Sequence, residues 1–235
     1  MIFIMLKFER NEQKFLLTAS QFNSVFAELI KHANIDKFGW QKIQNIYFDN
    51  DLNTVVWRSI ESEGFKEKLR IRTYGNDTSG NKAYIELKVK NKGITYKRRI
   101  EIDQKDLRPF CENKEIKCTH DKQIACEIKE FIAHHKAYPK FFVGYERLAL
   151  SCEETDLRIT IDKDLQSCPC GLDINNIIPE PYFEEPMYIM EIKSCNGIPL
   201  WLTSVLTENN VCKESFSKYG KTFVRHQRHD GRKYA

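Results

Sequence analysis

The chain has 235 residues, of which 41% are hydrophobic, 12% aromatic and 30% charged, enough apolar residue for the core of one sizeable domain. Its 37 Lys and Arg stand against 33 Asp and Glu, a net charge of +4. That near-balance excludes a disordered polyelectrolyte or a histone-like coat for DNA, so no DNA partner is expected and any anion preference must come from where basic residues cluster. The apolar runs fall far short of the roughly 20 residues that cross a bilayer, and the N-terminal MIFIML meets charge at Lys7, Glu9 and Arg10. Neither a secretory signal nor a membrane span is expected, and the expected location is cytoplasmic.

Along the chain the pattern is α+β, dominated by short alternating segments and free of internal repeats. In a strand, residues i and i+2 share a face, so the parity of the charges reports what each face meets. The first such segment sets Arg10, Glu12 and Lys14 on one face. Helical periodicity follows from Thr18 to Ala33, with Phe22, Phe26, Leu29 and Ile30 on one side. From Phe65 to Arg72 the even positions are Lys66, Lys68, Arg70 and Arg72 while the odd ones are mostly apolar, which makes a basic ladder. Gly75 to Lys82 has the look of a P-loop. Asn81 precedes its Lys, however, no Ser or Thr follows, and a strand comes next, so it reads as a hairpin loop. Tyr84 to Lys90 then divides into Ile85, Leu87 and Val89 against Glu86, Lys88 and Lys90, and Lys97, Arg99 and Glu101 repeat the split.

A second helix is expected from Lys122 to His134 on the spacing of Ile124, Ile128, Phe131 and Ile132, with His134 and His135 at its end as a solvated pair. Tyr145 and Arg147 share a strand face, as do Arg158, Thr160 and Asp162. Leu165 to Pro186 holds four of the seven prolines and reads as a long irregular connection. Within it, Cys168 and Cys170 are the only close pair among eight cysteines. Their CxC spacing, with no His or second pair at finger distance, fits two loop thiols rather than structural zinc, and the whole set reads as cytosolic thiols. Glu191 and Lys193 make the last charged face, and a third helix starts at Pro199 with Trp201, Leu202, Val205 and Leu206. A basic, apolar-poor tail, expected to fray, begins at about Arg225. No linker divides residues 1 to 235, which read as one domain.

Any one of the seven charged faces is the ordinary solvated side of an antiparallel sheet. Together they are heavy in Arg and Lys with an acid set among them, and like charges side by side repel, which calls for a compensating anion. If the sheet closes into a barrel, one face of each strand points inward and the ladders line a tunnel for a polyanion with a divalent metal. Arg forks suit phosphate oxygens, and a carboxylate among cations suits Mg²⁺ or Mn²⁺. The GxGxxG, kinase, GxSxG and HExxH patterns are all missing.

The runs Arg10 to Leu17, Ile46 to Asp49, Lys66 to Gly75, Ile85 to Lys88, Tyr96 to Arg99, Tyr145 to Arg147, Leu157 to Asp162, Met190 to Lys193 and Phe216 to Tyr219 resemble, in order and spacing, the VTC (vacuolar transporter chaperone) domain. The match covers about Lys7 to Phe223. The resemblance implies the CYTH-like triphosphate tunnel metalloenzyme fold, a closed antiparallel β-barrel flanked by helices. It further implies an ATP-dependent polyphosphate polymerase that moves the γ-phosphate of ATP onto a growing chain. It carries phosphate binding onto Lys14, Arg70, Arg72, Lys88, Lys97, Arg147, Arg158 and Lys193, with Lys218 near the tunnel end, and the metal-binding acid onto Glu191. Strand parity adds Lys68 and Arg99 to the phosphate-binding set. Arg70, Arg72, Lys88, Arg147 and Glu191 are expected to act in catalysis. Glu12 and Glu86 either aim Lys14 and Lys88 or are further contacts to the Mn²⁺ or Mg²⁺. The hydrolytic branch of the superfamily opens with ExExK, whereas Arg10 here gives RxExK and removes one metal ligand, which favours the polymerase. The alternatives are a metal-dependent triphosphatase of the same fold and a non-catalytic binder of polyphosphate or RNA.

Overall fold

A computed structural model of the protein describes residues 11–62, 64–75, 82–116, 121–152, 155–171 and 177–229. In chain order the elements are β1 (Asn11–Thr18), α1 (Ala19–His32), β2 (Asn34–Ile35), β3 (Gln41–Asp49), α2 (Thr54–Glu61), β4 (Phe65–Tyr74), β5 (Lys82–Asn91), β6 (Ile94–Asp103), α3 (Leu107–Asn113), α4 (Lys122–His135), β7 (Tyr138–Ser151), β8 (Arg158–Pro169), β9 (Glu180–Pro181), β10 (Met187–Ser194), α5 (Leu200–Glu208) and α6 (Lys218–His229). The fold is α+β, with a large antiparallel sheet whose hydrogen-bonded order is β1-β10-β8-β7-β3-β4-β5-β6, β2 lying beside β7 and β9 beside β8. Among the described residues no helix is long and apolar enough to cross a membrane.

The expected closure into a barrel is not made: among the described residues no rung joins β1 to β6, the two ends of the order. The outer edge of β1 is taken up otherwise. Phe15 bridges Lys213, and the Glu214 N–H donates to the Lys14 carbonyl at 2.8 Å.

The chain divides into two compact units, the first comprising residues 1–41, 146–164 and 183–216 and the second residues 42–145, 165–182 and 217–235. In the first, alternation sends Phe15 and Leu17 of β1, Met190 and Ile192 of β10, and Ile159 and Ile161 of β8 into the core. Register stacks them, Phe15 opposite Met190 and Met190 opposite Ile161. α1 covers this layer with Val25 and Leu29, and α5 with Leu202, Val205 and Leu206. α1 begins where the periodicity placed it because Thr18 and Gln21 form a capping box, the Gln21 N–H donating to Thr18 Oγ1 at 3.3 Å and the Thr18 N–H to Gln21 Oε1 at 3.0 Å. Ile30, assigned to the apolar stripe, is exposed, since the buried stripe is centred on Val25 and Leu29. Pro199 caps α5 instead of occupying its first turn.

In the second unit the odd positions of β4 (Leu69, Ile71) and β5 (Ala83, Ile85, Leu87) join Ile100 and Ile102 of β6 in one apolar face, covered by Phe110 of α3 and Ile128, Phe131 and Ile132 of α4. That packing commits the even positions to the opposite face. His134 is exposed as expected, but His135 is not solvated: it is buried, with Nε2 2.7 Å from Glu67 Oε1. Glu67 lies on the apolar parity of β4 and would otherwise lack a partner there. At the start of α2 the buried Asp49 carboxylate accepts the Val55 and Val56 N–H groups at 3.0 and 2.9 Å. It also accepts the Tyr219 hydroxyl at 2.6 Å, which anchors α6. α6 continues through His229, past the point where a frayed tail was expected, and Arg225 donates to the Pro181 carbonyl at 2.6 Å. The connection from Leu165 is likewise more ordered than expected, with β8 running to Pro169 and β9 paired to it. Burial pushes the Cys168 thiol up to about 11 and that of Cys170 to about 12, so both are inert thiols at neutral pH. Arg10 and most of the Gly75 to Lys82 loop lie outside the described residues.

Candidate functional site

On the polar face of the second unit, the register sets Arg70 opposite Glu86 and Glu86 opposite Arg99, with Arg72 opposite Tyr84 one rung on. Glu86 is the hub. It accepts from Arg70 Nε at 2.8 Å and Nη2 at 2.6 Å, and lies 3.9 Å from both Arg72 Nε and Arg99 Nε. Burial opposes ionisation of Glu86, but Arg70, Arg72 and Arg99 outweigh it and hold the carboxyl below the usual carboxylate range. One acid thus spaces three guanidinium groups.

The arginines are aimed by a second set of side chains. Arg72 is 8% exposed and donates to Asn45 Oδ1 at 2.9 Å and to the Tyr145 hydroxyl at 3.2 Å, while Asn45 donates to the Val143 carbonyl at 3.0 Å. Arg70 Nη1 donates to the Tyr47 hydroxyl at 3.2 Å, and the Tyr47 ring stacks on Tyr219 with centroids 4.4 Å apart. Burial alone would push the Tyr47 phenol up. Arg70, Arg72 and Lys68 reverse this and bring it down to about 8. Lys68 donates to Ser217 Oγ at 3.1 Å, and Lys218 Nζ sits 4.7 Å from the centre of the Tyr145 ring. Arg99 covers the Tyr84 ring at 3.4 Å. Lys88 lies opposite both Lys68 and Lys97.

The first unit builds a different pattern. Across β1, β10 and β8, one rung reads Glu12, Lys193, Arg158 and another reads Lys14, Glu191, Thr160, so charges alternate along and between β1 and β10. Lys14 Nζ is 3.1 Å from Glu12 and 3.8 Å from Glu191, and Lys193 contacts Glu191 and lies 4.0 Å from Glu12. Glu191 is largely buried, which disfavours its charge, yet Lys193, Lys14 and Arg147 prevail and hold it well below the usual carboxylate range. Arg147 grips the buried Asp162 with both tines of its fork, Nε to Oδ1 at 2.6 Å and Nη2 to Oδ2 at 2.8 Å. The Thr160 hydroxyl on the Glu191 rung is buried without a hydrogen-bond partner.

The expected site residues therefore fall into two sets. Lys68, Arg70, Arg72, Glu86, Lys88, Lys97, Arg99 and Lys218 belong to the second unit, and Glu12, Lys14, Arg147, Arg158, Glu191 and Lys193 to the first. The three acids expected at a metal are not gathered into one group among the described residues. Glu12 and Glu191 do share two lysines, and the orphaned Thr160 hydroxyl stands beside Glu191. These hard oxygen donors fit a single Mg²⁺ or Mn²⁺ of the kind that one or two carboxylates hold while substrate phosphates complete the shell. Asn45, Tyr47 and Ser217 are site residues that sequence reasoning missed. The signal for the first two was the shared parity of Asn45, Tyr47 and Asp49 on β3.

A model of the VTC domain matches residues 9–224. The chain belongs to the VTC domain family. Among solved structures it is similar to a candidate adenylate cyclase from Bacillus halodurans, at 12% identity over 88% of this chain and 92% of that one, with a TM-score of 0.54. It is also similar to a candidate adenylyl cyclase from Hippeastrum with a dominant triphosphatase activity, at 14% identity over 92% of this chain and 96% of that one, with a TM-score of 0.54. At these identities the likeness is one of fold. Comparison with curated proteins gave no match. The resemblance read from the sequence is borne out by the VTC family match.

Proposed function

We propose that this VTC domain is an ATP-dependent polyphosphate polymerase of the triphosphate tunnel type, with Arg70, Arg72, Lys88 and Lys97 as phosphate ligands. The observation that carries the reading is the arginine cluster around Glu86, set in a chain that the VTC family spans almost end to end. Phosphoryl transfer needs little covalent help from a protein. It needs the charge on the moving group's equatorial oxygens balanced while the attacking and leaving oxygens stay in line. Guanidinium forks held by Glu86, Asn45, Tyr47 and Tyr145 meet the first need without reorganisation, because each is already positioned. In this reading Glu86 orients Arg70, since its Oε2 takes both Nε and Nη2 of that guanidinium, at 2.8 and 2.6 Å.

An acceptor's terminal phosphate oxygen, already anionic, attacks the γ-phosphorus of ATP. A new P–O–P bond forms, the bond from the γ-phosphorus to the β–γ bridging oxygen breaks, and ADP leaves with that electron pair. No proton has to be removed from the nucleophile, so no strong general base is needed. Glu191 and Glu12 would hold one Mg²⁺ or Mn²⁺, which when bound neutralises phosphate oxygens. Lys193 and Lys14 keep the Glu191 carboxylate ionised in its absence. The rival within the fold is hydrolysis, in which water replaces the acceptor, and the triphosphatase activity of the Hippeastrum protein supports that second reading. Incubating the pure protein with ATP and Mn²⁺ and resolving the products on a gel tests the proposal. A ladder of long polyanions is the expected result, orthophosphate alone indicates the hydrolase, and binding without turnover indicates a binder.

A further inference from the structure

On the polar face of β4, β5 and β6, positive charge rises along the strands. The rung of Arg72, Tyr84 and Glu101 is neutral, and Lys82 beyond it is held by Glu101 at 3.2 Å and Asp103 at 3.0 Å. The rung of Arg70, Glu86 and Arg99 carries one net positive charge. The next brings Lys68, Lys88 and Lys97 side by side with no acid, and the one after that pairs Lys66 with Lys90, beside Thr95. Every arginine of the first two rungs lies within 3.9 Å of Glu86. Among the described residues, by contrast, no carboxylate pairs with Lys66, Lys90 or Lys97. Cationic neighbours set directly across strands repel, and the face bears this cost where Lys66 meets Lys90.

We propose that Lys66 and Lys90 form an outer subsite that takes the distal phosphates of a linear polyphosphate, so that the face prefers long polyanions to short ones. The inference rests on the phosphate-binding reading of the Arg70 rung. Rungs on one face are about 7 Å apart, which puts Lys66 about 14 Å along the strands from Arg70. A chain of several phosphates covers that distance, and a triphosphate centred on Arg70 does not. Single-stranded RNA is the weaker occupant, because bases need aromatic platforms. The two outer rungs offer only lysines and Thr95 on this face, and the ring of Tyr84, further along, is already covered by Arg99.

The test compares the intact protein, the double variant Lys66→Gln/Lys90→Gln, and the control Lys105→Gln/Lys129→Gln, which removes the same charge from exposed positions elsewhere in the same unit. Each is titrated with tripolyphosphate, with polyphosphate of several tens of units and with an RNA oligonucleotide, over a series of salt concentrations. The Lys66/Lys90 variant should lose about tenfold in long-chain affinity, show a salt slope shallower by about 1 to 2, and keep its tripolyphosphate affinity within about twofold. The control should match the intact protein. The subsite is overturned if the variant keeps its long-chain affinity, if tripolyphosphate, RNA and long chains all weaken by the same factor, or if the control loses as much. Should the intact protein bind neither polyphosphate, the phosphate-binding reading fails and the subsite with it, an outcome distinct from the others.

Discussion

Glu86→Gln removes the one negative charge shared by three arginines while preserving shape. The two contacts to Arg70 at 2.6 and 2.8 Å lose their ionic character, and Arg72 and Arg99, each 3.9 Å from the carboxylate, are left facing Arg70 with only a neutral amide between them. A charge pair at about 4 Å contributes about 4 kcal/mol at an effective dielectric near 20, and the desolvation of Glu86 that the mutant escapes offsets much of it. Because the Glu86 side chain retains 17% of its exposure, solvent screens part of the remainder. The net destabilisation should be about 2 to 3 kcal/mol, which lowers Tm by about 5 to 10 °C for a domain of this size. Thermal unfolding with and without saturating tripolyphosphate is the assay. The polyanion supplies the missing negative charge, so the gap between wild type and mutant should close as it binds. A mutant as stable as wild type, or a gap that tripolyphosphate leaves unchanged, would refute the idea that Glu86 is a spacer among phosphate-binding arginines. A gap that widens on adding Mn²⁺ would instead make Glu86 a metal ligand.

Arg72→Ala should weaken tripolyphosphate binding by about a hundredfold, whereas Lys82→Ala, paired at the surface to Glu101 and Asp103, should stay within about twofold. Tyr47 should titrate near pH 8 by its phenolate absorbance, and bound polyphosphate should push that transition upward by neutralising Arg70, Arg72 and Lys68. Because its folded value lies below the ordinary 10, the stability it contributes is complete above pH 10 and is lost as pH falls through about 8. Tyr47→Phe should abolish both effects. Glu191→Gln should reduce Mn²⁺-dependent turnover by orders of magnitude yet leave metal-free polyphosphate binding intact, and near-normal turnover would remove Glu191 from the metal site. Leu87→Asp puts a charge into the apolar face under α3 and α4 and should abolish cooperative unfolding altogether.

The polar face of β4 and β5 was legible because apolar residues alternate with charged ones there, and a period of two assigns each side chain to a side. β3 gave no such contrast. Ile46 and Phe48 are buried on one parity, and Ile43, Asn45, Tyr47 and Asp49 on the other, so parity does not set the polar members of β3 apart. His135 was misjudged because its partner Glu67 lies 68 residues away, and no local pattern encodes that meeting. α2 and α3 have only 8 and 7 residues, too few for a helical period to stand out. α6 was hidden by its basic composition. Its buried aromatics Tyr219 and Phe223 are four apart, and Lys218, Lys221 and Arg225 around them mask the stripe. The open order of the sheet depends on which edges find partners, and the Phe15 to Lys213 bridge that occupies the edge of β1 joins segments almost 200 positions apart.

In a polyphosphate polymerase the γ-phosphate of ATP ends in a phosphoanhydride chain. Phosphorus-31 NMR of the intact protein with ATP and Mn²⁺ follows this directly, because bridging phosphates resonate apart from terminal phosphates and from orthophosphate. The bridging signal should grow in step with ADP, one internal phosphate for each ATP consumed. Growth of orthophosphate in step with ADP, with no bridging signal, would contradict it.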